Sequence, residues 1–301
     1  MTAQLYLHPD KTVLRLTGDN PENFLNDLLT AQIETLEEGV ARAACLLSPQ
    51  GRILFDMMIV RQGNTLYMIT EKVQADALIK RLTLYRMRRA IDITLLAEIS
   101  VCHLLDSPNT QQTELKTLPD SAILARDERH EGLGLLCLIP EIDLPVAQPD
   151  TLWEIKRIGL GVPEGVADLT PNRALMLEAG LQHLAAVDFK KGCYIGQEVT
   201  ARTHYRGLVK RRLFPITTPD NVPNKILKTG DHVMMAEKIV GQCGSTANDH
   251  EHCIALASIR LDAVRQVIER GATLSLENGI PVQLKIPEWM YPLPGFDAAE
   301  E

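Results

Sequence analysis

From Leu208 onward the chain reads as short apolar runs broken by turn residues: LVKRRLFPI, HVMMAEKIVG, CIALASIRL and ATLSLENGIPVQLKI. The last run holds Asn278-Gly279 between two alternating segments, the dipeptide that suits a type I′ hairpin. Strands this short bury no core alone, so residues 207–301 are expected to close into a β-barrel or sandwich.

The remainder reads as mixed α and β. Thr12–Leu16 is expected as a strand, and Gly18-Asp19-Asn20-Pro21 then opens a helix with Phe24, Leu25, Leu28 and Leu29 on its apolar side. Strands at 43–47, 53–60 and 66–70 form a meander through the turns at Ser48-Pro49-Gln50-Gly51 and Gln62-Gly63-Asn64. An amphipathic helix follows at 73–89, and a further strand begins at Ile91. The polar stretch 105–120 and the Pro-rich stretch 140–150 mark junctions, the second leading into a helix TLWEIKRIG that Gly159 closes. The expected division is an α+β domain at 1–105, a second α+β domain at 106–206 and the barrel at 207–301.

Composition narrows the function classes. No run approaches the ~18 apolar residues of a membrane span, and the N-terminus MTAQLYLHPDKTVLRLTGD lacks secretory or transit character, so a cytoplasmic location is expected. A net charge of −8 argues against a general nucleic-acid coat. Six cysteines without a C-x-x-C pair fit neither a disulfide framework nor a zinc ribbon. Cys243, His250, His252 and Cys253 lack the usual ligand spacing, and no bound metal is expected.

The densest chemistry lies in FKKGCYIGQEVTAR, residues 189–202. Lys190 and Lys191 precede Cys193, and adjacent ammonium groups favour a reactive thiolate; a buried cysteine in a Gly-rich turn is the equally weighted alternative. Lys190, Lys191, Arg202, Arg206, Lys210, Arg211 and Arg212 face a single acid, Glu198, in a patch expected to attract carboxylates or phosphates. A solvated strand face accounts well for Lys210 and Arg212 and less well for Arg202 and Arg206. A helix starting at Thr170-Pro171 would set Glu178 among Leu175 and Leu181, where a carboxylate could accept two N–H donors from a heterocycle or pair with an arginine. Trp153 shares a helix stripe with Arg157 and could stack on a flat ligand, although a core tryptophan is commoner.

These residues carry a resemblance. Lys191-Gly192-Cys193-Tyr194-Ile195-Gly196-Gln197-Glu198, followed by Ala201-Arg202 and by Arg206-Gly207 and Lys210-Arg211, resembles the signature of the YgfZ-type folate-binding proteins, relatives of the glycine-cleavage T-protein (aminomethyltransferase). Leu16-Thr17-Gly18, LLSPQGRILFD at 46–56, RIGLGVP at 157–163 and LEAGL at 177–181 extend it over nearly the whole chain. The resemblance implies an α+β fold of three domains in a ring around a central folate-binding cleft, with a C-terminal β-barrel. It also implies an accessory role in assembling or repairing iron–sulfur proteins, including tRNA-modifying enzymes. By position it assigns Lys191, Cys193 and Tyr194 to the reactive site. Trp153, Glu178, Asp56, Gln197, Arg202 and Arg206 fall to tetrahydrofolate, or to a one-carbon or polyglutamylated derivative of it. Gly180 and Gln182 depart from a common E-A-N-L-D pattern, and Phe55 replaces one of two paired T-protein aspartates. The alternatives are a folate-dependent aminomethyltransferase, hence a transferase if the chain is an enzyme, and a folate-free protein- or RNA-binding scaffold. A monomer that meets iron–sulfur assembly or client proteins, without membrane or direct nucleic-acid binding, is expected. In a eukaryote the compartment would be the mitochondrial matrix.

Overall fold

The computed structural model describes residues 4–105, 118–207, 209–219, 227–249 and 253–296. Most of the polar stretch 105–120, together with Leu208, His250 and His252, therefore lies outside the described residues. The chain divides into two units, each built from separated stretches.

The first unit comprises Met1–Pro49, Leu54–Trp153 and Leu184–Ile195. Its strands belong to a ten-stranded mixed sheet. They are β1 (Gln4–Leu7), β2 (Lys11–Gly18), β3 (Val40–Leu47), β4 (Ile53–Gln62), β5 (Thr65–Glu71), β6 (Ile91–Leu96), β7 (Ile99–Leu105), β8 (Ile123–Asp127), β9 (Leu135–Pro140) and β10 (Gln148–Pro149). Their order is β10-β1-β7-β9-β8-β3-β4-β5-β2-β6, so strands on either side of the polar stretch share one sheet. The pairs β1–β10 and β3–β8 are parallel. Helices α1 (Pro21–Asn26) and α2 (Lys72–Arg86) contribute Phe24, Leu25, Leu78 and Leu82 to a core with Leu14, Leu16, Leu46, Ile59 and Met68. Alternation along β2 supplies Leu14 and Leu16 to this face, as its sequence pattern predicts. Gly18 ends β2 at φ +116°, and a Cβ there would collide with the carbonyl oxygen of Ala90, so only glycine fits.

The second unit comprises Gln50–Ile53, Glu154–His183 and Gly196–Glu301. It contains the expected barrel, closed in the order β11-β14-β13-β12-β15-β16. The strands are β11 (Arg211–Thr217), β12 (His232–Met235), β13 (Lys238–Asn248), β14 (Cys253–Arg260), β15 (Leu274–Leu276) and β16 (Pro281–Leu284). Closure comes from β11 meeting β16 at Ile216↔Leu284 and Thr217↔Gln283. The β15–β16 hairpin turns at the predicted dipeptide, with Gly279 at φ +83°. Phe214, Ile216, Val233, Ala255, Ala257, Leu274 and Val282 fill the interior.

Helix α3 (Thr151–Gly159) lies where predicted, and α4 (Gly165–Asp168) follows. Helix α6 (Leu261–Arg270), which the reading of the C-terminal region as strands overlooked, adds Leu261 and Val264 to the barrel cluster. The helix expected from Thr170-Pro171 does not form. Asn172 takes φ +58° and its N–H donates to the Ile53 carbonyl, while the Ile53 N–H donates to Ala174. The segment thus spends its backbone groups on the start of β4, and its regular structure is a 3₁₀ turn at Leu181–His183.

Candidate functional site

The KGC segment belongs to the first unit and is tied down from within it. Thr30 Oγ1 donates to the Ala186 carbonyl at 2.7 Å and accepts from the Cys45 N–H at 2.9 Å. Asp188 Oδ1 accepts from the N–H groups of Lys190 (2.7 Å) and Lys191 (3.2 Å). The Lys191 side chain then turns inward. Its Nζ donates to the carbonyls of Asn26, Leu29 and Ala31 at 2.6, 2.7 and 2.8 Å, the end of α1 and the chain just beyond it. The ammonium also lies 5.5 Å from the centre of the Tyr194 ring. Burial pushes Lys191 down to about 8, against the pull of Asp188, Asp27 and Glu34. The Lys191 ammonium, expected to favour a thiolate at Cys193, is thus committed to the carbonyls of Asn26, Leu29 and Ala31.

Tyr194 is buried, and burial, with Asp188 and Cys45 adding to it, pushes its hydroxyl up to about 12. Cys193 points the other way. It is the exposed one of the six cysteines, all of which are described; Cys45, Cys102, Cys137, Cys243 and Cys253 are buried. Burial raises Cys102, Cys137 and Cys243 to about 12 and Cys45 well above the usual thiol range. Asp56, half-buried on β4, is close enough to Cys45 to add to that rise.

Glu178 belongs to the second unit, on the turns before Leu181. It is half-buried, and burial raises its carboxyl while Arg211 and Arg52 oppose the rise. Beside it lies a cavity of about 30 Å³, lined by Gly51, Leu175, Leu177, Val199, Thr200 and Thr203 among others. Gln197 is the half-buried first residue of α5 (Gln197–Arg206), and Arg202 and Arg206 are exposed on that helix. Lys210, Arg211, Arg260, Leu261 and Asp262 line an open hollow of about 430 Å³.

Two expectations fail. Trp153 is fully buried in the first unit, stacked on His103 at 4.3 Å between centroids and edge-on to His8 at 4.5 Å, with Nε1 donating to the Leu133 carbonyl. Its ring is core rather than an open ligand face. Arg212 is not a solvated strand residue: it is 1% exposed, on the interior-facing row of β11 with Phe214 and Ile216. Its guanidinium has no hydrogen-bond partner among the described residues, and burial lowers it to about 10.

The sequence reading also missed a buried network in the first unit. His8 Nε2 meets His103 Nδ1 at 2.8 Å, His103 Nε2 lies 3.4 Å from Asp127, and Arg129 clamps Asp127 at 2.7 Å. Nothing in the spacing of these residues announces it, because β1, β7 and β8 bring them together. No group of three or more metal-ligating side chains occurs among the described residues.

The fold defines a class. The chain superposes on the glycine cleavage system aminomethyltransferase T from Bartonella henselae with a TM-score of 0.73, over 95% of this chain and 86% of that one, at 14% identity. The fold is that of the aminomethyltransferases, α+β with a closed six-stranded barrel. Residues 210–292 match the family described as CAF17, C-terminal beta-barrel domain. Among curated proteins, the chain is 31% identical to the iron-sulfur cluster assembly factor IBA57, mitochondrial, of Homo sapiens, over 93% of this chain and 83% of that protein. It is 32% identical to the IBA57 homolog, mitochondrial, of Chaetomium globosum, over 87% and 72%. The chain belongs to the IBA57 family of iron–sulfur cluster assembly factors. No helix of the described residues is long and apolar enough to cross a membrane.

Proposed function

We propose that this chain is a tetrahydrofolate-binding accessory protein for assembly or repair of iron–sulfur clusters in client enzymes, tRNA-modifying ones among them. The carrying observation is Cys193: one exposed thiol on a turn whose neighbouring lysine is wholly committed to holding the turn in place. A cysteine so presented serves as a transient ligand for iron or cluster cargo, and its five buried counterparts have no such access. The names of the IBA57 relatives support the assembly role, and the KGC motif supports the finer YgfZ-type assignment.

Folate fits the chemistry of the Glu178 region in part. A half-buried carboxylate flanked by two arginines can accept N–H donors from a pterin, and the cationic hollow suits a carboxylate tail. The cavity of about 30 Å³ is the size of a water rather than of a pterin ring. When bound, folate would supply one-carbon chemistry; the residues here orient it. The three-domain division and central cleft belong to this reading, as do a monomeric state, assembly or client proteins as partners, and a mitochondrial matrix location in a eukaryote or a cytoplasmic one otherwise. Aminomethyl transfer is the weaker reading, because Phe55 stands where the T-protein pattern has a second carboxylate.

Two measurements test the proposal. Tetrahydrofolate should raise the melting temperature of the wild type and less that of Glu178→Gln, since a ligand of the native state stabilises it. In a strain lacking the gene, wild type should restore iron–sulfur enzyme activities and Cys193→Ala should not. Full rescue by Cys193→Ala would remove the thiol from the function.

A further inference from the structure

We propose that the outward face of α2, with Met87 and Arg88 just beyond its end, is a docking surface for an anionic phospholipid bilayer, on which the helix lies flat. Ala75, Leu78 and Leu82 on one side of α2 are buried in the first unit. At helical spacing on the opposite side stand Val73, Ala77, Lys80 and Leu84, all exposed, Val73 by 78% and Leu84 by 72%. From Val73 to Leu84 this second stripe runs about 16 Å along one straight edge. A surface helix ordinarily keeps its large apolar residues on the core side, so apolar residues on both faces call for a cover on the outer one. Met87 extends the stripe. It is 84% exposed and ends the helix at φ +50°, a conformation that favours glycine, so the chain bears backbone strain while holding a long apolar side chain in solvent.

Charge selects the occupant. Residues 72–89 carry six Lys or Arg against one acid, Asp76, on a chain whose net charge is −8. Arg89 is paired with Asp27 at 2.7 Å and Arg86 donates to the Ile91 carbonyl, whereas Lys80, Arg81 and Arg88 are exposed and have no partner among the described residues. A second copy of the chain would set these cations against their own kind. A nucleic-acid backbone is held by polar and charged groups and would leave Val73, Leu84 and Met87 unanswered. Protein interfaces are depleted of lysine at their apolar centre, and Lys80 stands inside this stripe, which disfavours an acidic protein. A lipid interface takes the same arrangement readily: apolar side chains enter between the headgroups while ammonium and guanidinium groups stay level with the phosphates. Screening confines repulsion from the rest of the anionic chain to about 8 Å at physiological salt, so the local cations decide. Resting on a bilayer requires no spanning helix, and the described residues form none. The absence of membrane binding expected from the sequence rests on the lack of a span and does not extend to a surface contact.

The test is sedimentation of the full chain with vesicles of pure phosphatidylcholine and with vesicles holding about 30% phosphatidylglycerol. At low salt, partitioning onto the anionic vesicles should exceed that onto the neutral ones roughly a hundredfold, three unpaired cations giving about fivefold each, and the preference should collapse at about 0.5 M salt. Lys80→Gln, Arg81→Gln and Arg88→Gln should each cost about fivefold on the anionic vesicles. The double variant Leu84→Ser with Met87→Ser should cost about tenfold on the same vesicles, through apolar contact rather than charge. All five side chains are exposed, so thermal melts should match the wild type, which separates lost docking from lost fold. If the double variant binds as the wild type does, the helix does not enter the interface and the proposal falls. Equal partitioning onto the two kinds of vesicle overturns it as well and returns the face to an acidic protein.

Discussion

Arg157 and Arg212 are both buried in the second unit, 2% and 1% exposed, but the fold answers only one of them. Arg157 donates to Glu154 at 2.6 Å, Asp168 at 3.0 Å, the Val162 carbonyl at 2.6 Å and Ser245 at 2.9 Å. Burial works against its charge, yet Glu154 and Asp168 outweigh burial and raise its pKa. Arg212 faces burial with no partner among the described residues, and its pKa falls to about 10. The first charge is part of the scaffold that joins α3, α4 and β13. The second is a standing cost beside the segment that carries Glu178, and a fold retains such a cost where something other than stability is selected.

The comparison breaks if the two arginines respond alike. Arg157→Met should lower unfolding free energy by about 3–5 kcal/mol, because Asp168 is left buried and uncompensated; the denaturation midpoint reads this, and a loss under about 1 kcal/mol would refute the scaffold role. The first unit has its own committed cluster. Burial, opposed by the Asp127 hydrogen bond, lowers His103 from 6.5 to about 4. Between those values the unfolded chain binds the extra proton and the folded one does not, so the contribution is whole above pH 6.5 and shrinks as pH falls toward 4. The change should approach about 3 kcal/mol and flatten in His103→Asn, measured as urea midpoint against pH. Arg212→Met should leave stability unchanged or raise it by about 1 kcal/mol, since an unpaired guanidinium gives way to an apolar chain of similar length. The smallest expected effect is at Cys193: its alanine variant should melt within about 0.5 kcal/mol of wild type. Pulsed alkylation of the wild type should mark Cys193 well before Cys45 or Cys137.

How far the sequence revealed this depends on whether the deciding contacts are local. The β15–β16 hairpin was legible because Asn278-Gly279 determines its own turn, and α3 because its apolar spacing and Gly159 sit within one stretch. The exposed Cys193 was legible as an alternative among glycines. Lys191 was not, because its three carbonyl partners lie about 160 positions earlier in the chain. The half-buried setting of Glu178 was legible, although the helix expected to carry it gives way to turns paired with Ile53, again a distant partner. The same limit hid Trp153, whose neighbours His8 and His103 lie far from it in sequence, and the burial of Arg212, whose guanidinium lies close to Gly180.

Lys190 and Lys191 are consecutive, yet to an amine-reactive reagent they are different materials. Lys190 is exposed and should acylate freely, whereas Lys191, 8% exposed and bonded to three carbonyls, is shielded for as long as the turn is docked. The pair is thus an internal clock for the segment that presents Cys193: the ratio of modification at the two sites counts undocking events directly, with the neighbour as its own reference. A cargo or partner that pries the turn loose would leave a chemical scar on Lys191, and one that binds the turn in place would leave that residue clean.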